Sequence, residues 1–236
     1  MNEPQNRPLD LLVFGAHADD AEIGMGGTIV KHTRAGLRVG ICDLTFAEMS
    51  SNGTVELRVQ EAESASAVLG LAMRSNLGLP DRGLFLTDDH LRKVAAEIRK
   101  WAPRAVFAPY WEDRHPDHIS CSRLVQEAVF NAKLRRYMPE MPPVTVEQLY
   151  FYFINDPGRT DLMVDVTDVY ADKEQALRCY ASQFTGPSQG SDAVDTPLTA
   201  QYVERVKARD SLLGQKGGIG YAEGFASRLP HKVDLF

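Results

Sequence analysis

The sequence has few cysteines, and they form neither a disulfide framework nor a metal-binding motif. Only Cys42, Cys121 and Cys179 occur among its 236 residues, and no two are spaced as C-x-x-C. Small secreted domains held together by disulfides have many cysteines, usually in even number. We therefore expect reduced thiols and predict that the protein lies in the cytoplasm.

Long apolar runs and excess positive charge are also missing. No apolar stretch approaches the ~20 residues that cross a bilayer, and the first eight residues are polar, so we expect no signal peptide. With 26 basic and 32 acidic residues the net charge is −6, whereas binding to a phosphate backbone usually needs a basic face. We expect neither a membrane nor a nucleic acid as partner.

Strand and helix signals alternate along the chain. Apolar residues make up 44% of it, and its length suits one sizeable core better than two. Strands are predicted over residues 9–14, 38–44, 105–108 and 149–154. Helices are predicted over residues 23–34 and 198–213, and three more are predicted to follow Thr54, to precede Trp101 and to follow Pro116. This alternation predicts a single α/β domain over residues 1–236, with helices on both faces of a mostly parallel sheet.

Two late segments are predicted to be irregular. Residues 186–196 are rich in Gly, Ser, Asp and Pro, which is typical of a mobile loop. The tail that follows the last predicted helix is rich in glycine and predicts no regular element.

Two short clusters of histidine and aspartate follow two of the predicted strands. The first is His17-Ala18-Asp19-Asp20, directly after the strand over residues 9–14, and the second is His115-Pro116-Asp117-His118, a few residues past the strand over residues 105–108. In a parallel sheet, ligands bind beyond the carboxyl ends of the strands where strand order reverses. If these strands are neighbours, the two clusters face each other across one crevice.

The residue types in the clusters are those of a hydrolytic zinc site. His17 and Asp20 are three residues apart and can reach one Zn²⁺ ion, and His118 can supply the third ligand from the other loop. Asp19 then remains unbound beside the metal as a general base, and His115 could pair with Asp19 or with the developing oxyanion.

A purely structural interpretation is also open. Asp19 and Asp20 could cap the following helix, Asp113 and Asp117 could do the same downstream, and Pro116 suits a first helical position. Capping does not require histidines and aspartates at the ends of two strands, and we therefore favour the metal site.

The chain resembles the LmbE-like zinc N-deacetylases, the superfamily that includes GlcNAc-phosphatidylinositol de-N-acetylase. The resemblance rests on A-H-x-D-D-x-E-I-G-x-G-G over residues 16–27 and D-R-H-P-D-H over residues 113–118, and it extends to shorter segments over most of the chain. It implies a Rossmann-like three-layer α/β/α sandwich. Ala18 stands where the family commonly has proline, and residues 47–53 lack the arginine of a family motif.

The resemblance also implies roles for individual residues. His17, Asp20 and His118 match zinc ligands, Asp19 the catalytic base and His115 the histidine that assists the transition state. Arg58 matches a substrate-binding arginine, and Tyr202 is matched to the tyrosine that helps hold the oxyanion.

The resemblance further predicts a substrate and an assembly. Later segments resemble the bacillithiol branch, whose substrate is the small sugar conjugate N-acetylglucosaminyl malate. The alternatives are another N-acetylglucosamine substrate, such as a chito-oligosaccharide, and a metal-binding protein without turnover. By family analogy we expect a homo-oligomer such as a hexamer.

Overall fold

Seven strands form one sheet in the computed structural model, which describes residues 8–186 and 192–230. The strands are β1 Leu11–Gly15, β2 Val39–Thr45, β3 Met73–Leu79, β4 Ala105–Pro109, β5 Gln148–Tyr152, β6 Leu162–Asp165 and β7 Ala222–Ala226. Their order is β3-β2-β1-β4-β5-β7-β6. The first five are parallel, and β7 runs antiparallel to both β5 and β6.

Helices cover both faces of the sheet and make it a three-layer sandwich. They are α1 Asp20–Arg34, α2 Val55–Leu69, α3 Asp88–Trp101, α4 Pro116–Ala132, α5 Tyr170–Arg178, α6 Ala181–Phe184 and α7 Tyr202–Lys216. One apolar core lies between the sheet and helices α3 and α4. The other lies between the sheet and α1, with α2, α5 and α7 contributing. None of the helices within the described residues is long and apolar enough to cross a membrane.

The predicted fold class is confirmed, with corrections to individual elements. Helix α1 begins at Asp20, three residues before the predicted start, and α7 begins at Tyr202. Strands β3 and β6 were not predicted, and the tail is not irregular throughout, because β7 lies within it and is fully buried. Of the predicted loop over residues 186–196, residues 187–191 lie outside the described residues.

Helix α1 is interrupted at Met25, and a buried carboxylate from β7 stabilises the interruption. Met25 has non-helical angles (φ −149°, ψ 23°). The backbone N–H groups of Gly27 and Thr28 donate to the two carboxylate oxygens of Glu223, at 2.9 and 2.6 Å. Glu223 thus accepts from amides that the interruption leaves free, as a side-chain cap does at a helix start.

Lys173 on α5 joins this buried carboxylate to a second one. Its ammonium donates at 2.6 Å both to Glu223 and to Asp210 of α7, and its side chain is fully buried. A buried charge is tolerated only when it is paired and hydrogen-bonded. Lys173 therefore holds α1, α5, α7 and β7 together.

Replacing Lys173 by methionine should lower the free energy of unfolding by about 3–5 kcal/mol, because the buried carboxylate of Glu223 loses its counter-ion and that of Asp210 keeps only Arg209. Chemical denaturation would measure the change. Lys207→Met is a suitable control, since Lys207 is about two-fifths exposed and pairs with Glu174 near the surface, where such a pair contributes about 1 kcal/mol or less. Equal effects of the two substitutions would contradict the role given to Lys173.

Candidate metal centre and active site

The two predicted clusters meet at one crevice. Strands β1 and β4 are parallel neighbours, and the chain continues from β1 to β2 on one side and from β4 to β5 on the other. Strand order therefore reverses between β1 and β4, which is where open α/β sheets bind ligands. A cavity of about 410 Å³ opens there, and its lining includes His17, Asp19, Asp20, His115, His118, Arg58 and Tyr202.

Two imidazoles each approach a different oxygen of Asp20. Asp20 Oδ1 lies 3.1 Å from His118 Nε2, and Asp20 Oδ2 lies 3.7 Å from His17 Nδ1. The second carboxylate oxygen also accepts the N–H groups of Ala16 and His17, both at 2.9 Å, which fixes its orientation. Two imidazoles and one carboxylate are the ligand types that suit a divalent metal ion such as zinc.

The other nitrogen of each histidine faces a carboxylate. His118 Nδ1 lies 2.9 Å from Asp113 Oδ1. His17 Nε2 lies 3.2 Å from Asp81 Oδ1 and 3.6 Å from Asp117 Oδ2. In metal sites, a ligating histidine almost always donates its second N–H to a carboxylate, carbonyl or water, which fixes the tautomer and the ring orientation. The surroundings of both histidines therefore fit a metal centre.

The local charge also favours a cation. Burial alone would lower the pKa of His118, but the charge of Asp20 and the hydrogen bond with Asp113 outweigh it and raise this pKa to about 9. The pKa of His17 is likewise raised, against the effect of burial, by Asp117, Asp20 and Asp81. A site this rich in carboxylates stabilises positive charge, whether on the imidazoles or on a metal ion.

Asp19 lies beside this donor set in a strained backbone conformation. It has a φ of 115°, outside the region that residues other than glycine normally adopt. It precedes α1 but makes no side-chain cap. Its carboxylate pairs with Arg58 Nη2 at 3.2 Å, and burial raises its pKa to about 7 against the opposing charge of Arg58. The capping alternative therefore does not describe Asp19.

His115 caps helix α4 and also lines the cavity. Its Nδ1 accepts the backbone N–H of Asp117 at 3.2 Å, so the proton of the neutral ring is on Nε2. Its ring stacks on that of His118, with centroids 4.7 Å apart. Partial burial and the neighbouring histidines lower its pKa. Nitrogen atoms of His17, His115 and His118 lie within 4.8 Å of one another, so a three-histidine ligand set is geometrically open as well.

Arg58 and Tyr202 both line the cavity, but each also binds the protein itself. Arg58 donates from Nε to the carbonyl of Ala18 at 3.0 Å and from Nη2 to Asp19, and its Nη1 has no partner among the described residues. The Tyr202 hydroxyl lies 3.2 Å from Asn155 Oδ1. Asn155 in turn donates to Asp113 at 2.7 Å, which connects Tyr202 to the carboxylate behind His118.

Asp81 and Asn155 were not among the predicted site residues. Asp81 comes two residues after the end of β3, and Asn155 comes three residues after the end of β5. Both thus lie at the same edge of the sheet as the two clusters. Their positions after strands are the signal that would have found them.

Replacing Asp113 by alanine should weaken metal binding about 10–100-fold, because His118 loses the carboxylate that orients its ring. Titration of the metal-free protein with zinc against a competing chelator would measure this affinity. Asp161→Ala is a matched control, since Asp161 pairs with Arg159 on the surface and lies outside the cavity lining. An unchanged affinity in Asp113→Ala would show that Asp113 does not support the metal centre.

A known protein family matches this chain. The family model described as PIG-L, GlcNAc-PI de-N-acetylase, matches residues 12–129. This segment runs from β1 to α4 and contains both clusters. Among solved structures, the conserved protein TT1542 from Thermus thermophilus superposes with a TM-score of 0.87 at 42% identity, over 95% of this chain and 97% of that one.

Curated relatives include deacetylases and a hydratase. Diacetylchitobiose deacetylase of Thermococcus kodakarensis is 31% identical over 78% of this chain and 73% of its own length. The 4-oxalmesaconate hydratase of Pseudomonas putida is 26% identical over 78% and 76%. The probable N-acetyl-α-D-glucosaminyl L-malate deacetylase 2 of Bacillus subtilis is 26% identical over 75% and 84%.

Proposed function

The chain belongs to the GlcNAc-PI de-N-acetylase family and is an enzyme of this N-deacetylase class, and we propose that it hydrolyses the acetamide of an N-acetylglucosamine conjugate. The observation that carries the proposal is the placement of Asp19. The Asp19 side chain is buried and pairs with Arg58 rather than with His17 or His118. It lies beside residues whose types suit a divalent metal. A site that only stored metal would need no such carboxylate.

We assign the metal to His17, Asp20 and His118, and zinc is the ion we propose. A divalent metal held there would polarise the acetamide carbonyl and lower the pKa of water. The family match and the donor types support a metal, and metal analysis of the purified protein would identify the ion. The three-histidine set is the alternative that the variants described in the Discussion distinguish.

The protein side chains then move the protons. Asp19 takes a proton from the attacking water, and Arg58 holds the Asp19 carboxylate in place through Nη2. His115 presents its Nε2 and either stabilises the oxyanion or delivers a proton to the leaving amine. Tyr202 is the other candidate for the oxyanion, since its hydroxyl lines the same cavity. We also propose that Arg58, which lines this cavity, contributes to substrate binding.

Among N-acetylglucosamine conjugates we propose the malate conjugate as substrate. The resemblance of the later sequence segments and the Bacillus subtilis relative support it, whereas the Thermococcus kodakarensis relative supports a chito-oligosaccharide. A homo-oligomer and a cytoplasmic location are further parts of this proposal.

A substrate panel tests the activity. Zinc-loaded protein would be incubated with N-acetylglucosaminyl malate, diacetylchitobiose and free N-acetylglucosamine, and released acetate and free amine would be measured. We expect release from the malate conjugate at the highest kcat/KM. If diacetylchitobiose gives the highest kcat/KM, it replaces the malate conjugate as the proposed substrate. If no amide releases acetate, the deacetylase proposal is contradicted.

Hydration of a carbon–carbon double bond is a second candidate, favoured by the Pseudomonas putida hydratase relative. Both reactions deliver an activated water to an electrophilic carbon, but only amide hydrolysis needs a proton donor for a leaving amine. Following the loss of ultraviolet absorbance of 4-oxalmesaconate, the compound in the name of that relative, alongside the acetate assay, distinguishes the two.

A further inference from the structure

A second cavity adjoins the active-site cavity. Its volume is about 430 Å³, and it shares Arg114, Ile154, Asn155, Pro197 and Tyr202 with the lining of the active-site cavity. We call it the side cavity; its own lining adds Asp156, Pro157, Arg205, Val206 and Arg209. A ligand whose acetamide lies at Asp19 can therefore extend past Tyr202 into the side cavity.

Arg114 presents a fixed guanidinium at the boundary between the two cavities. Its Nε donates to Asn155 Oδ1 at 2.8 Å, and Asn155 is itself held by Asp113. The two terminal nitrogens of Arg114 have no partner among residues 8–186 and 192–230. The guanidinium plane is thus oriented while its outer edge stays free for a ligand.

Arg205 also has guanidinium nitrogens that meet no partner among the described residues. It lies on α7, three residues after Tyr202, and is exposed, and its side chain makes no hydrogen bond or ion pair within the described part of the chain. Arg209, one turn further along, differs: it donates to the carbonyls of Phe153, Ile154 and Ile23 and pairs with Asp210. Arg114 and Arg205 are therefore the arginines of the side cavity that are available to a ligand.

The side cavity has more arginines than acidic residues in its lining. The active-site cavity is lined by three carboxylates, those of Asp19, Asp20 and Asp81, and by three arginines, Arg58, Arg82 and Arg114. In the side cavity Asp156 is the one acidic residue among the described lining residues, and it is exposed. In a chain with a net charge of −6, two free arginines in one concave surface produce a local preference for anions.

We propose that the side cavity binds the aglycone of the substrate, meaning the group attached to the N-acetylglucosamine ring, and that this group carries a carboxylate or a phosphate held by Arg114 and Arg205. The planar fork of a guanidinium matches either anion with two parallel hydrogen bonds. The inference rests on the proposed function, since it places the sugar at the deacetylation site. Arg205 is then a specificity-determining residue.

Charge reversal at Arg205 tests the inference. Zinc-loaded wild type, Arg205→Glu and Arg205→Lys would be compared on N-acetylglucosaminyl malate, N-acetylglucosamine 1-phosphate and the neutral methyl N-acetylglucosaminide. Acetate release gives kcat and KM, and calorimetry gives Kd. Arg136→Glu is the matched control, because Arg136 is exposed and lines neither cavity. The malate and phosphate substrates show which anion the side cavity prefers.

We expect wild type to prefer one of the anionic conjugates over the neutral glycoside, and Arg205→Glu to reduce this preference about 10–100-fold, mostly through KM and Kd, because a charge-assisted hydrogen bond is lost. Arg205→Lys should reduce it less, and Arg136→Glu should keep it. An equal loss for neutral and anionic substrates would overturn the inference. Calorimetric preference for the anion without acetate release would refute deacetylation but support anion binding in the side cavity. Acetate release without any preference for the anion would support deacetylation and overturn the inference.

Discussion

Replacing Asp19 by asparagine should lower kcat about 10²–10⁴-fold while the protein keeps its metal. Asparagine has nearly the shape of aspartate but cannot accept a proton, and general acid–base groups typically contribute a factor of this size. Asp19 is assigned no role as a ligand, because the nearest donor set consists of His17, Asp20 and His118. Steady-state acetate release and metal analysis of the same preparation would measure the two quantities.

The Asp19→Asn result needs a control for a general effect on the site. Asp89→Asn is suitable, because Asp89 is an exposed residue of α3 that pairs with Lys93 on the next turn. It should keep full activity. Near-normal turnover in Asp19→Asn would exclude Asp19 as the base, and loss of metal from that variant would instead make it a ligand.

The parallel centre of the sheet could be predicted because its strands are buried on both faces. Strands β1 and β4 are short apolar runs with every residue buried, and buried parallel strands have this pattern. Strand β3 was missed because it is an edge strand with Arg74, Ser75 and Asn76 in its middle. Without β3, Asp81 could not be placed at the sheet edge, and its contact with His17 could not be predicted.

The buried tail was missed for a related reason. Strand β7 contains Glu223 and Gly224, which are uncommon in strands. Glu223 is tolerated there because its oxygens accept from Gly27 and Thr28, almost 200 residues earlier in the chain. No local pattern indicates a partner that far away, so a buried carboxylate of this kind looks like an exposed one in the sequence.

Within the candidate site, the sequence predicted which residues lie together but not how they pair. Five residues of the two clusters could be assigned to one crevice because their strands end at the same edge; they are His17, Asp19, Asp20, His115 and His118. The pairing of Arg58 with Asp19 depends on how α2 packs against the first loop. Sequence spacing carries no information on such a contact, because the two residues lie on separate elements.

Replacing His118 by alanine should abolish zinc binding and, with it, acetate release. The variant removes the one donor supplied by α4, and the remaining His17 and Asp20 cannot complete a three-ligand site. His115→Ala is the matched comparison: its ring stacks on that of His118, but in our assignment it is not a ligand. We expect this variant to keep about one zinc ion per chain while losing about 10²–10⁴-fold in kcat, as expected for an acid–base group.

Metal content after zinc loading and dialysis, measured by atomic absorption, decides between the two ligand sets. Thermal unfolding of both variants would check that each is folded, which matters because His118 contacts the buried carboxylates of Asp20 and Asp113. If folded His118→Ala retains zinc, His118 is not a ligand. If His115→Ala loses zinc as completely as His118→Ala does, the three-histidine set replaces the one with Asp20, and Asp20 then acts by orienting His17 and His118 through the contacts described above.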